Sequence, residues 1–293
     1  MRPTRSICDL APNQSFKPPA SARLHSGRQF RLEISSQTQL RKHGQPSFCY
    51  LCGEALDGVA PVDRDHCPPK GLFAASDRGD FPVILPTHKA CNHQWHGVDD
   101  LLGILTDALH SRKKSQDESV TKRLEAYSLP FYSSEAAAVA NVPLAAIGLR
   151  VARGMHALLY KSYLPLRTPN SIHVPLPVAD RETGKPEQPL DQAFAFSGAI
   201  RKALLTGTAD SITAYNGNFR YACVWDYLNN NAPFCIFAFD VYAFHQLSPR
   251  VANFPRCFVG MYRPLLVPRG ASWSSKIELK LTRDELLDPW QRT

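Results

Sequence analysis

No run of eighteen or more apolar residues occurs in this chain, and its opening MRPTRSICDLAPNQSF lacks the apolar core of a secretory signal. Neither membrane spanning nor export is indicated, and a cytoplasmic protein is expected. Internal repeats are also missing, so a repeat array is not expected. Cysteine is present but dispersed. Eight cysteines in 293 residues can in principle form four disulfides, yet three of them cluster with histidines, which in a reducing compartment favours metal ligation. Cys8, Cys223, Cys235 and Cys257 read as lone thiols, the last three buried.

What is there is an ordinary globular composition, long enough to bury a substantial core, with an uneven charge. The net charge is +8, and residues 1–45 carry eight Lys/Arg against two acids, whereas residues 46–110 carry four against nine. Such a balance is compatible with a polyanionic partner, because Lys and Arg displace counterions from phosphates. The acidic middle segment counts against nucleic acid unless a divalent cation offsets it.

Residues 1–45 are rich in Ser, Gln, Pro and Arg without sustained periodicity, and read as a disordered basic tail. Residues 46–110 hold the Cys/His cluster and end in GVDDLLGILTDALHS, whose Leu101, Leu102, Leu105 and Leu109 are spaced for an amphipathic helix closed by Lys113 and Lys114. In residues 111–293, EAAAVANVPLAAIGLRVARGMHALLY predicts two helices broken near Pro143. Residues 165–195 read as a loop with an extended piece at SIHVPLPV. FRYACVWD, FCIFAFDVYAFHQL and RCFVGMYRPLLV are aromatic and β-branched, and predict an antiparallel sheet packed on those helices. The expected class is α+β: a small zinc-stabilised module followed by a helical and antiparallel-sheet domain.

Chemistry concentrates between residues 49 and 100. Cys49-x-x-Cys52, with Gly53 after it, can aim two thiolates at one ion, and His88-x-x-Cys91 repeats the spacing some forty residues on. Together they form a closed tetrahedral set suited to structural Zn2+, although Cys67 competes with His88 for the fourth place. Between the pairs, PVDRDH ends an extended run at Asp65-His66, and FPVIL predicts a second strand. A helix starting at or just after Cys91 would put Asn92 and His96 on one face. Asp65, Asn92 and His96 can then converge with His66.

These residues resemble the HNH endonuclease family, the ββα-metal nucleases, in its zinc-bearing form. The likeness covers roughly residues 48–100 and rests on CYLC, DRDHCPPKGLF and LPTHKACN; the later GLRVARGMHALLY and aromatic strands are similar to those of uncharacterised bacterial HNH proteins. It implies His66 as general base, with Asp65 and Asn92 holding a catalytic divalent ion. His88 stands where the family usually has Cys, the family's frequent Asn-Leu pair is replaced by Phe81 to Leu85, and His96 falls near a common Lys. The implied activity is hydrolysis of phosphodiester bonds in DNA.

That chemistry stands on its own terms. Hydrolysis needs an activated water, which a neutral imidazole supplies near pH 7, and a hard cation such as Mg2+ or Mn2+ on oxygen ligands. Arg64, Lys70 and Arg78 are candidates for neighbouring phosphates, with solvated charge as the plain alternative. A rival reading keeps the module as a non-catalytic nucleic-acid or protein-binding element, its Asp and Asn merely capping turns and a helix. In a third, residues 111–293 bind a ligand or protein partner, as in bacterial or phage genome defence. His93 and Trp95 read as packing or surface residues. His156, His173, His245, Asp226 and Asp240 have no spacing that assembles a site, and Arg150, Arg153, Lys161 and Arg167 are candidates for a basic track.

Overall fold

The computed structural model describes residues 31–73, 81–109, 126–128, 137–139, 143–175, 191–227, 232–241, 256–265, 267–271 and 288–290. The expectations for residues 1–30, Arg78, Lys113, Lys114 and His245 lie outside them. The class is α+β, with five α-helices and a six-stranded sheet among the described residues. No helix there is long and apolar enough to cross a membrane.

The chain enters through β1 (Glu33–Ile34) and α1 (Gln37–His43). This corrects the disordered-tail expectation for residues 31–45. Two buried anchors, Ile34 and Leu40, suffice to dock the segment. Its helix is properly closed: Ser36 accepts from the Gln39 backbone N–H, and Gly44 ends the last turn at φ 81°. Next come β2 (Val62–His66), a 3-10 turn at Lys70–Leu72, β3 (Ile84–His88), α2 (Lys89–His93) and α3 (His96–Leu109). Strands β2 and β3 form an antiparallel hairpin with Asp63 opposite Thr87 and His66 opposite Ile84.

Beyond it, β4 (Ala126–Ser128) pairs with β5 (Ala137–Val139), and β5 lies where the first of two helices was expected. Only the part after Pro143 is helical, as α4 (Leu144–Tyr160). Strands β6 (Asn170–His173), β7 (Asp210–Ala214), β8 (Phe219–Tyr227), β9 (Pro233–Val241) and β10 (Phe258–Tyr262) complete the main sheet, in the order β1-β7-β8-β9-β10-β6. Every pairing in it is antiparallel except β1 with β7. Helix α5 (Asp191–Leu205) packs on β8, β9 and β10.

Helix α4 is the axis of the molecule. From Ile147 to Tyr160 every residue except the half-buried Leu149 is buried, and two arginines, Arg150 and Arg153, lie with His156 among them. A helix buried nearly all round is ordinarily apolar all round, so these three polar side chains need partners inside the protein. One side of α4 meets the sheet: a methyl group on Gly148 would press on Ile172 and Phe258 at 3.1 Å. The other meets the hairpin, where a methyl group on Gly154 would collide with Cys67 Sγ. Small residues thus let one helix lie between two layers. With α5 on its far face, the sheet is covered on both sides, which is why β8 and β9 read as nearly continuous apolar runs. One hydrophobic cluster joins Tyr50, Cys67 and Leu85 to Val151, Leu158, Phe237 and Tyr262, so the expected boundary at residues 110 and 111 is crossed by a shared core.

Candidate metal centre and the acidic pair beside it

The knuckle before β2 is built by a tight turn. Gly53 N–H donates to Cys49 O at 2.7 Å, and Gly53 sits at φ 90°, against the Tyr163 ring, where a side chain is excluded. This turn aims Cys49 and Cys52 at the end of β3 and the first turn of α2, which deliver His88 and Cys91. The ligand atoms of Cys49, Cys52, His88 and Cys91 all lie within 4.8 Å of one another. A tetrahedral zinc site has ligand separations of about 3.8 Å or less, given Zn–S near 2.3 Å, so the four side chains fit such an ion with small adjustments.

His88, not Cys67, stands at the fourth position of the cluster. Its Nδ1 lies 3.3 Å from Cys52 Sγ, while Nε2–H donates to Ala55 O at 3.2 Å. That second contact holds the ring in the tautomer whose Nδ1 lone pair faces the sulfurs. Cys67, the rival, is fully buried against α4 and outside the set. Burial and the neighbouring thiols push the Cys91 thiol up to about 12 and raise that of Cys52. Three crowded sulfurs resist ionising together, and a divalent cation supplies the charge that lets their protons leave.

Asp65 does not face Asn92. It is buried at 3% exposure, and Arg150 Nη2 donates to both its oxygens at 2.8 and 2.9 Å, while Tyr50 O–H also donates to it. Arg150 further donates to Asp99 at 2.6 Å and lies over the Trp95 ring at 4.8 Å. Burial works against the guanidinium charge, but Tyr50, Asp65 and Asp99 outweigh it and raise its pKa. For Asp99 burial wins instead, and its pKa is raised despite Arg150. The two shifts weigh one ion pair from opposite ends; the contact at 2.6 Å argues for a charged pair. A carboxylate so saturated has no room for a hydrated cation, which corrects the assignment of Asp65 as a catalytic metal ligand.

The residue that meets Asn92 is Asp63, two positions earlier and on the same face of β2. Asn92 Nδ2 donates to Asp63 Oδ2 at 3.0 Å. That bond, the Arg64 N–H, and the charges of Lys89 and His96 hold the Asp63 carboxyl below its usual range. Thr87, directly across from Asp63, is fully buried, and its hydroxyl has no partner among the described residues. Asn92 and His96 do not share a helical face, because the helix breaks at Gln94 and Trp95. Asn92 turns inward, and His96 is exposed with its ring 4.8 Å from that of His93. His66 closes β2 half-buried, on the face opposite Asp63 and Asp65 by strand alternation.

Arg64 and Lys70 are exposed, as phosphate contacts require. Arg150 and Arg153 are not a surface track: Arg153 is buried and donates to Leu51 O at 2.8 Å and Leu164 O at 2.9 Å, bracing the knuckle from α4. The sequence reading missed Asp63 and gave Arg150 a surface role in place of its buried one. Asp63 was visible in DRDH as a second carboxylate at strand spacing; no local signal marks Arg150. No family model, no curated protein and no solved structure matches this chain, so its reading rests on the geometry of its own residues.

Proposed function

We propose that the chain is a metal-dependent endonuclease of HNH type acting on DNA, with a structural zinc at Cys49, Cys52, His88 and Cys91 and a catalytic Mg2+ or Mn2+ between Asp63 and Asn92. The supporting observation is the 3.0 Å contact of those two side chains at the foot of the Cys/His cluster. A carboxylate, an amide whose oxygen faces the ion after rotation about its terminal bond, and the buried Thr87 hydroxyl form an oxygen-rich set suited to a hard cation. When bound, that ion supplies charge relief for the scissile phosphate and the departing oxygen.

The other roles belong to side chains. Arg64 and Lys70 hold flanking phosphates, while His66, turned to the other face of β2 from Asp63, takes no part at this ion. His96 lies near enough to lower the Asp63 pKa and is a further ligand candidate. The binding-only reading draws on the neutralised Asp65: the carboxylate adjoining His66 serves the fold.

The test is nicking of plasmid and of single-stranded DNA by zinc-loaded protein with Mg2+ or Mn2+. Asp63→Ala should lower the rate at least a hundredfold and His66→Ala should change it far less, with zinc content unchanged in both. Cleavage that survives Asp63→Ala ends the hydrolytic mechanism, and no cleavage with any divalent ion leaves the binding-only reading.

A further inference from the structure

A cavity of about 1060 Å³ opens between α1, the hairpin and the turn that joins β7 to β8, and Asp63 stands in its wall. Its three sides come from distant parts of the sequence and carry different chemistry. The hairpin contributes an apolar side of Val62, Ile84 and Pro86, and Val62 is 49% exposed. Arg41 of α1 and Arg64 of β2 also line the space, and neither guanidinium makes an ion pair among the described residues. Gln37, Gln45 and Asn216 add side-chain amides that form no hydrogen bond there.

Backbone strain gathers at the same place. Of the four non-glycine residues with positive φ among the described residues, three are Phe81, Tyr215 and Asn216 at φ 115°, 52° and 56°. They are tied together by the Tyr215 N–H donating to Phe81 O at 3.1 Å, and Tyr215 is clamped by stacking on Phe73 at 3.9 Å. Conformations costing about 1–3 kcal/mol each persist where the surroundings enforce them, and they collect at ligand sites. Here they shape the wall that faces the hairpin.

We propose that this groove receives a single-stranded segment of nucleic acid, with unstacked bases against Val62, Ile84 and Pro86 and phosphates at Arg41 and Arg64. Unpaired arginines on the rim of an apolar slot complement a chain that alternates anionic groups with flat apolar ones. Free amides match the exposed edges of unpaired bases. The volume is that of one to about three drug-sized units, room for a few nucleotides. The inference rests on the reading above in taking nucleic acid as the substrate, and it specifies the strand state.

Fluorescence anisotropy with zinc-loaded full-length protein, in Ca2+ without Mg2+ or Mn2+, compares a labelled single strand with its duplex and with an acidic peptide. The single strand should bind at least tenfold more tightly than either. Arg41→Ala and Arg64→Ala should each weaken it several-fold and reduce the salt slope by about 1. Val62→Trp, which fills the slot without changing charge, should abolish the preference, circular dichroism confirming that each variant folds. Equal affinity for single strand and duplex, tighter binding of the peptide, or a preference untouched by Val62→Trp overturns the proposal. A chain that binds single strands through this groove but never cleaves them refutes the hydrolase reading alone, and one that cleaves plasmid without single-strand preference refutes the groove alone.

Discussion

The hairpin side of α4 and the sheet side are both buried, but by different means. Against the sheet, α4 meets stacked and edge-on aromatics: Phe239 on Phe258 at 4.4 Å, Trp225 against Tyr160 at 5.7 Å and against Tyr262 at 5.9 Å. Against the hairpin side it offers Arg150 and Arg153, which meet the buried Asp65, the half-buried Asp99 and the backbone of a knuckle that belongs to a set of four metal-type ligands. Apolar area is non-directional and tolerates small shifts, whereas ion pairs and ligand shells fail as units when one member is lost. The hairpin side should therefore break abruptly, and the sheet side should yield gradually.

The sharpest way to separate the two is to remove the metal. Stripping zinc with a chelator, or replacing Cys49 by Ser, should cost several kcal/mol, since structural zinc contributes of order 10 kcal/mol in isolated modules. Amide exchange should accelerate across Val62–His66 and Ile84–His88 while Phe219–Tyr227 stays protected. Uniform loss of protection would show that the two sides are one cooperative unit.

A smaller effect is expected at the ion pair. Arg150→Met strands Asp65 without its partner and should cost about 3–5 kcal/mol. Adding Asp65→Leu should restore most of that, because two well-packed apolar residues replace the pair. A double variant as unstable as the single one in urea melts would mean that Arg150 acts through Asp99 or Trp95 instead.

The sheet side also encloses a histidine. Burial lowers the His156 pKa to about 3, whereas an unfolded histidine titrates near 6.5. Between those values the unfolded chain binds the additional proton, so stability falls as pH drops through that window, by up to about 1.4 kcal/mol per unit. His156→Gln can keep a bond to the Tyr262 hydroxyl, which lies 2.9 Å from His156 Nδ1, and should flatten the difference curve below pH 6.5. Parallel curves for wild type and variant would remove His156 as its source.

Much of this was legible in the chain. Two x-x spacings gave the four ligands, because a metal knuckle is a local device, and the aromatic β-branched runs gave three strands of the sheet. What was not legible depended on distance. Asp63 and Asp65 share a strand face, and only Arg150, 85 residues from Asp65, decides which one is neutralised and which meets Asn92. Helix α1 carried its own signals, Ser36, Gln39 and Gly44, but the polar composition around it outweighed them. Helix α5 and strand β7 fell in a stretch whose pattern was passed over between a proline-rich loop and the aromatic strands.

Arg150 also sets a timetable. During synthesis, Asp65 and the knuckle leave the ribosome before the guanidinium that neutralises them has been made, and at about 5–20 residues per second the wait lasts several seconds. Until then an exposed hairpin carrying reactive thiols has no helix to lie against, so the nascent chain should depend on early metal capture or on a chaperone over that interval.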